Sequence, residues 1–333
     1  MTSFDPSVLR ERVVAVVVGY HHPDDTIECF RSLAVSQPCA PRLLYVDNGS
    51  TEGECRAVLE AVPTARVLRL AQNVGVGRGF NVGLADALAH DAELVLMLNN
   101  DVVVDPAMVA ELAATALREP TAGILVPKIY YHAAPNRVWS AGSRYRRWPP
   151  TVVLRRTRGP DRGQWDRSTD LEFATFCIAM FRRQCLCAVG LLDTDYHVFQ
   201  EDYDLCIRVR AAGWRVRYVP SARAWHKVSL STRGGSRNPE AWRWYGRSEA
   251  LFARKHPDWP WLTGPLHRAY VLARILAEGK PYGVRPFLAG YREGWSAPLH
   301  PPPYWGEPLL DVPEVWRDWP PACAAGVEPS PSL

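Results

Sequence analysis

A chain of 333 residues, 47% hydrophobic and 22% charged, can bury a full core as one large domain with an appendage or as two modest domains, which excludes wholesale disorder. A net charge of +4, without a concentrated basic face or stacking aromatics in a recognisable module, argues against a nucleic-acid partner. The eight cysteines show neither a Cys-x-x-Cys pair nor zinc-finger alternation with histidine, so reduced and mostly buried thiols are expected.

Residues 1–11 read as a loose leader. The β-branched run 13–18 is a buried strand that stops at Gly19-Tyr20-His21-His22-Pro23. Asp24 or Asp25 is expected to cap the next helix, where Ile27, Phe30 and Leu33 recur at helical spacing. A second strand, 42–46, runs into the oxygen-rich turn Asp47-Asn48-Gly49-Ser50-Thr51, which opens a helix carrying Val58 and Leu59. Strand 66–70 follows, and then a stretch with glycines at 75, 77, 79 and 83 leads into a helix through Ala89. Alternating glycines let backbone approach a ligand closely, and the following helix amino end favours a phosphate. Phe80 stands where a dinucleotide fingerprint needs its third glycine, so the nicotinamide reading loses its support. A glycine turn that packs a helix tightly onto the sheet stays open.

The five apolar residues 94–98 suit a central strand buried on both faces, and that strand ends abruptly in Asn99-Asn100-Asp101. Asp105-Pro106 marks the next helix start. Strand and helix alternating from 12 to about 118 read as a parallel, doubly wound α/β sheet, whose ligands collect at the carboxyl ends of the strands.

Further strands are expected at 123–128 and 137–142. The stretch to residue 170 is crowded with Arg144, Arg146, Arg147, Arg155, Arg156, Arg158 and Arg162, which reads as a solvated loop or as a mobile flap over an acidic substrate. Apolar character resumes over 171–181. Glu201, Asp202 and Asp204 then fall in the first turn of a helix with Leu205, Val209 and Ala212 on its buried face and Gly213 at its end. A strand at 214–219 precedes Trp225-His226.

Beyond residue 238 the character changes, which gives a division into 1–237 and a helical extension, 238–333. One helix carries Trp242, Trp244, Tyr245, Leu251 and Phe252 with Arg243, Arg247 and Arg254, and a second covers 265–277. The tail from 296, dense in proline and tryptophan, is expected to lack regular structure and to wrap the body with Trp305, Trp316 and Trp319. No window reaches 18 apolar residues and no basic segment leads an apolar stretch, so a cytoplasmic protein is expected, one able to touch the membrane from its inner face.

Together these stretches resemble family 2 glycosyltransferases, the inverting GT-A group that includes bacterial rhamnosyltransferases, over roughly residues 12–255. The carriers are 13–20, Val46-Asp47-Asn48-Gly49-Ser50, the asparagine and glycine series 73–83, Leu98-Asn99-Asn100-Asp101, Gly190-x-x-Asp193, Glu201-Asp202-x-Asp204-Leu205 and His226. The resemblance implies that Tyr20 and Asp47 hold the nucleotide base and Asn99 the ribose, with Asn73, Gly75, Gly79, Asn81 and Asn100 in the donor pocket. Arg247 would reach the diphosphate or acceptor. Asp101, last of the family's Asp-x-Asp motif, would ligate a divalent Mg or Mn, with His226 as second ligand or diphosphate contact. Asn99 departs from the motif's aspartate. Asp202 would be the base and Glu201 would orient the acceptor. The implied donor is a dTDP or UDP sugar, and the acceptor a hydroxyl compound, with a lipid-linked one in view, in cell-surface polysaccharide assembly. Segments 144–164 and 229–238, the latter with Gly234-Gly235 as hinge, are expected to order over bound substrate. A nucleotidyltransferase and a non-catalytic sugar-nucleotide-binding module remain as alternatives.

Overall fold

The structure, a computed structural model, describes residues 12–157, 159–228, 238–304, 306 and 315–317. The expectations for 1–11, Arg158, 229–237, Trp305, Trp319 and the Trp316 side chain lie outside the described residues. In chain order the elements are β1 (Val13–Gly19), α1 (Pro23–Ala34), β2 (Arg42–Asp47), α2 (Glu52–Ala61), β3 (Arg66–Leu70), α3 (Val76–Ala89), β4 (Leu94–Asn99), β5 (Val102–Val104), α4 (Met108–Arg118), β6 (Ala122–Tyr131) and β7 (Ala134–Ser140). There follow β8 (Ser143–Arg146), β9 (Thr151–Leu154), β10 (Thr169–Asp170), β11 (Ile178–Arg182), α5 (Arg183–Val189), α6 (Glu201–Ala211), β12 (Arg215–His226), α7 (Pro239–Lys255), α8 (Pro260–Thr263), α9 (Pro265–Ala277), a 3₁₀ turn (Pro281–Gly283), α10 (Val284–Ser296) and β13 (Val315–Arg317).

One sheet organises the molecule, in the order β10-β12-β6-β11-β4-β1-β2-β3-β13. Its half β4-β1-β2-β3 is parallel, while β11 enters antiparallel to both β4 and β6. The unbroken apolar run of β1 follows from burial on both faces. Val14 and Val16 pack with Phe80, Leu84 and Leu88 of α3, and Val13, Ala15 and Val17 with Phe30 and Leu33 of α1 and Val58 of α2. Helices on both faces are what the doubly wound reading requires.

Several local expectations are corrected. Neither Asp24 nor Asp25 caps α1. Pro23 opens it after His21 and His22 in left-handed backbone, and Asp25 instead takes Lys227 at 2.5 Å. Asp105 lies ahead of α4 and accepts the Ala107 N–H at 2.9 Å. The arginine-rich stretch is not one irregular loop: β8 and β9 form a hairpin. The tail gains a short strand, β13, antiparallel to β3 at the sheet edge.

The helices after residue 238 are locked by backbone contact. A Cβ on Gly246 of α7 would lie 2.0 Å from Phe287 O, and one on Gly290 of α10 1.8 Å from Arg243 O, so glycine is what permits this crossing. Trp242, Val271, Ile275 and Phe287 fill a small core beside it. Gly290→Ala gains about 1 kcal/mol of helix propensity but meets unyielding backbone, an overpacking cost of about 1–3 kcal/mol, so a lower Tm is expected. Gly53→Ala, in α2 with open space around it, should be neutral or stabilising by up to about 1 kcal/mol in the same thermal melts.

Candidate active site

A cavity of about 880 Å³ opens at the carboxyl ends of β1 and β4. Its walls come from the loop before α3, the first turn of α6, β9 of the hairpin, and α7 to α9. Tyr20, Asn73, Gly75, Asn99, Asn100, Glu201 and Asp202 all line it, so seven of the expected site residues meet in one place.

Asn48 builds the glycine loop. Its Nδ2 donates to Asn73 Oδ1 (3.3 Å) and to Gly75 O (3.2 Å), while Val74 N donates to its Oδ1 (3.0 Å). Gly75, at φ 91°, leaves no room for a side chain, since a Cβ would come 2.8 Å from His197 Nδ1. His197 also lines the cavity and stacks on Trp244 with ring centroids 4.2 Å apart. Burial, with Arg78 and Arg247 nearby, lowers its pKa, which favours the neutral ring.

Other expected residues face inward. Asp47 is fully buried and its carboxylate accepts from Ser50 N (3.0 Å) and Arg69 Nε (3.2 Å). Asn81 spends both ends of its amide on the Leu192 backbone, at 2.7 and 3.0 Å, tying α3 to the loop before α6. Gly79 packs on Asn48 and Val18, and Arg247 donates to Asp195 O at 2.6 Å. None of these four lines the cavity.

Asp101 and His226 do come together. His226 ends β12 opposite β5, which places its Nε2 3.2 Å from Asp101 Oδ1. Asp101 Oδ1 is buried without a hydrogen-bond partner, as is His226 Nδ1, the ring nitrogen turned away from that contact, and neither residue lines the cavity. Such atoms are costly to leave unmet and are ligand types for a divalent cation. Among the described residues no third His, Cys, Asp or Glu joins them.

Glu201 and Asp202, which do line the cavity, share the first turn of α6. Burial raises both carboxyls above the usual carboxylate range, and the charge of Glu201 raises Asp202 further. Asp202 Oδ1 accepts from Tyr203 N (2.8 Å), and Glu201 Oε2 is buried with no partner. The Cys177 thiol is raised by burial and then by both Asp101 and Asp202.

A family model described as glycosyltransferase-like family 2 matches residues 11–246. The chain belongs to that family. It is 31% identical over 247 residues to the N-acetylglucosaminyl-diphospho-decaprenol L-rhamnosyltransferase of Mycobacterium tuberculosis, covering 66% of this chain and 78% of that one. The O-antigen biosynthesis protein RfbC of Myxococcus xanthus is 28% identical over 286 residues, 82% of this chain and 21% of its own length. Among solved structures, GalNAc-T7 with UDP, GalNAc and Mn²⁺ superposes with TM-score 0.57 at 15% identity over 86% of this chain. S. aureus TarS gives 0.52 at 16% identity over 73%. The chain spans about half, 54%, of the GalNAc-T7 chain and 39% of the TarS chain. The fold is therefore GT-A, and sugar transfer is the activity class.

The glycosyltransferase holds its carboxylate pair through residues that sequence reasoning missed. Phe199 and Gln200 precede Glu201 in left-handed backbone, at φ 69° and 74°, a strained arrangement for non-glycine residues. Gln200 Nε2 donates to Glu249 Oε1 of α7 at 2.6 Å, and His267 Nε2 of α9 meets Glu249 Oε2 at 3.0 Å. His267 Nδ1 lies 2.8 Å from Pro150 O, which can only accept, so Nδ1 carries a proton, and Glu249 beside Nε2 favours the charged ring. Burial works to lower the His267 pKa, but Glu249 and the Pro150 carbonyl together outweigh it and the balance is upward. The signal was present: Glu249 sits among Trp242, Tyr245 and Phe252 on the inward face of α7.

A raised histidine pKa stabilises the fold fully below the unfolded value and ceases to as pH rises through the folded one. His267→Ala should therefore cost on the order of 3 kcal/mol at pH 6 and less at pH 9, the scale for a broken buried pair. Denaturant unfolding at the two pH values reads this, and kcat should fall with donor KM little changed.

Proposed function

We propose that the chain is an inverting transferase that moves a sugar from a nucleoside diphosphate, with a dTDP or UDP donor, to a hydroxyl of a lipid-linked acceptor in cell-surface polysaccharide assembly. The observation that carries this is one cavity lined by the glycine loop and Asn99-Asn100 on one side and by Asp202 and Glu201 on the other. The rhamnosyl transfer to a decaprenol-linked sugar named for the mycobacterial relative, and the O-antigen role named for RfbC, support the acceptor class.

The diphosphate lies against the amino end of α3, whose dipole favours an anion, while the N–H groups of Val74, Gly75 and Val76 are spent on Asn48 Oδ1, Asn73 Oδ1 and His197 O. Tyr20 and Asn99 flank the nucleoside, and Asn100, whose Nδ2 donates to Thr26 Oγ1 at 3.0 Å, holds that wall in shape. Asp101 Oδ1, buried without a hydrogen-bond partner, and His226 Nε2, 3.2 Å from it, would hold a divalent Mg or Mn. When bound, such an ion neutralises charge on the leaving diphosphate. The acceptor oxygen forms its bond to the anomeric carbon as the bond to the diphosphate oxygen breaks. The hydroxyl proton passes to the Asp202 carboxylate, and the nucleoside diphosphate departs with the bonding pair. One displacement inverts the anomeric centre. Glu201 orients the acceptor.

The raised Asp202 carboxyl must ionise before it can accept that proton. The transfer rate should therefore climb with pH across a window above the ordinary carboxylate range, as a pH–rate profile would show. Asp202→Asn should keep the fold and donor affinity while cutting transfer by about 10²–10⁴, the range for a lost general base. Near wild-type transfer by Asp202→Asn, with Glu201→Gln dead, would move the base to Glu201.

Asp101→Ala should abolish metal-dependent donor binding without lowering Tm. Isothermal titration of nucleotide sugars with Mg or Mn, and again with chelator, reads this. Donor affinity indifferent to both chelator and substitution would sink the metal assignment. A screen of dTDP and UDP sugars, with the anomer of the product read by NMR, tests the donor class and the inversion.

A further inference from the structure

The exposed apolar residues are unevenly placed. Helix α9 buries His267, Val271 and Ile275, and on its opposite side Leu266 (52% exposed), Ala269, Ala273 and Leu276 (56%) lie bare. Their spacing of i, i+3, i+7 and i+10 makes one continuous stripe. No acidic residue occurs from 264 to 277. A surface helix of a protein closed on itself shows charge on that side.

Beside the stripe stands the tip of the β8–β9 hairpin. Trp148 there is 74% exposed, next to the exposed Arg147. The stretch 144–157 holds five arginines and no acid, and Arg144, Arg147 and Arg156 among them are exposed. Two contacts fix the hairpin to α9: Arg146 Nη2 donates to Tyr270 OH at 3.3 Å, and Pro150 O accepts from His267 Nδ1 at 2.8 Å. The inner side of α9 contributes His267 and Arg274 to the cavity wall, so the bare stripe is the outer side of a cavity wall.

We infer that the hairpin tip and the outer stripe of α9 form one surface that seats on an anionic lipid bilayer. An apolar stripe, a tryptophan able to sit at headgroup depth and a cluster of arginines facing lipid phosphate are the three features an interfacial helix needs. At 13 residues α9 is too short to cross a bilayer, and no described helix is long and apolar enough to do so, so the contact is peripheral. A second copy is the weaker occupant, because two such faces would bring arginine clusters together without acids to meet them. The inference goes beyond the proposed transfer and stands without it.

The test uses the full chain with vesicles of phosphatidylcholine, with and without phosphatidylglycerol, and needs neither donor nor acceptor. The protein should sediment with the phosphatidylglycerol vesicles and be released by salt. Trp148→Ala with Leu266→Gln and Leu276→Gln should weaken partitioning at least tenfold while Tm and donor binding stay at wild-type values. Absence of sedimentation, or partitioning unchanged in the triple variant, overturns the inference. So does a wild-type dimer in analytical ultracentrifugation that the variant dissolves, which hands the face to a second copy. Protection of Leu266 and Trp148 from hydroxyl-radical labelling in the free monomer also overturns it, since the chain would then cover its own stripe.

Discussion

The antiparallel pairing of β11 with β4, from Ile178 opposite Leu98 to Arg182 opposite Leu94 and extended by Asn99 N donating to Cys177 O at 2.9 Å, joins the two halves on which the site depends. β4 is parallel to β1 on one side and antiparallel to β11 on the other, so its carboxyl end meets the incoming amino end of β11. The parallel half supplies a row of loops for a nucleotide at that edge. The antiparallel half brings in Thr175, Phe176 and the segment that leads on to α6. A wholly parallel sheet would supply only the first of these. The reversal at β11 lets Asn99 and Asp202 line one cavity from chain positions more than a hundred residues apart.

Burial is both the source of the chemistry and its cost. Glu201 and Asp202 would be ordinary carboxylates in water, but in the cavity the charged form of each is disfavoured. Holding them there needs strained backbone at Phe199 and Gln200, which persists because Gln200 is fastened to Glu249 and Val198 O accepts from Ser248 Oγ at 2.7 Å. Helix α7 thus braces the carboxylate pair, and the Gly246 and Gly290 crossing braces α7 in turn. Loss of packing between α7 and α10 would be felt first in the geometry of the carboxylates.

Strands buried on both faces are the most readable parts of this sequence, because burial on two sides removes polar alternation and leaves runs such as 13–18 and 94–98. The polar residues ending those strands are readable as a group, since ligands gather there. Which of them face the ligand is not. Asn81 and Asn99 are the same residue type in similar settings, yet one is consumed by Leu192, 111 residues away, and the other lines the cavity. Only the fold decides that. The Asp101 and His226 pair is equally invisible locally, because it depends on the register of β12 against β5, with His226 opposite Val102.

Neighbouring residues on α9 connect the inside of the protein to its surface. Leu266 and His267 are about 100° apart on the helix, so one points to solvent while the other grips Glu249 and Pro150 O. From His267 the contacts run to Gln200 in steps of 3.0 and 2.6 Å, neither longer than an ordinary hydrogen bond. A chain without slack transmits displacement. If α9 moved as a body by an ångström, either the His267–Glu249 contact would break or Glu249 would follow and draw on the Gln200 amide. Because Gln200 immediately precedes Glu201 and Asp202, the placement of the carboxylates is tied to the placement of a helix whose far side is exposed.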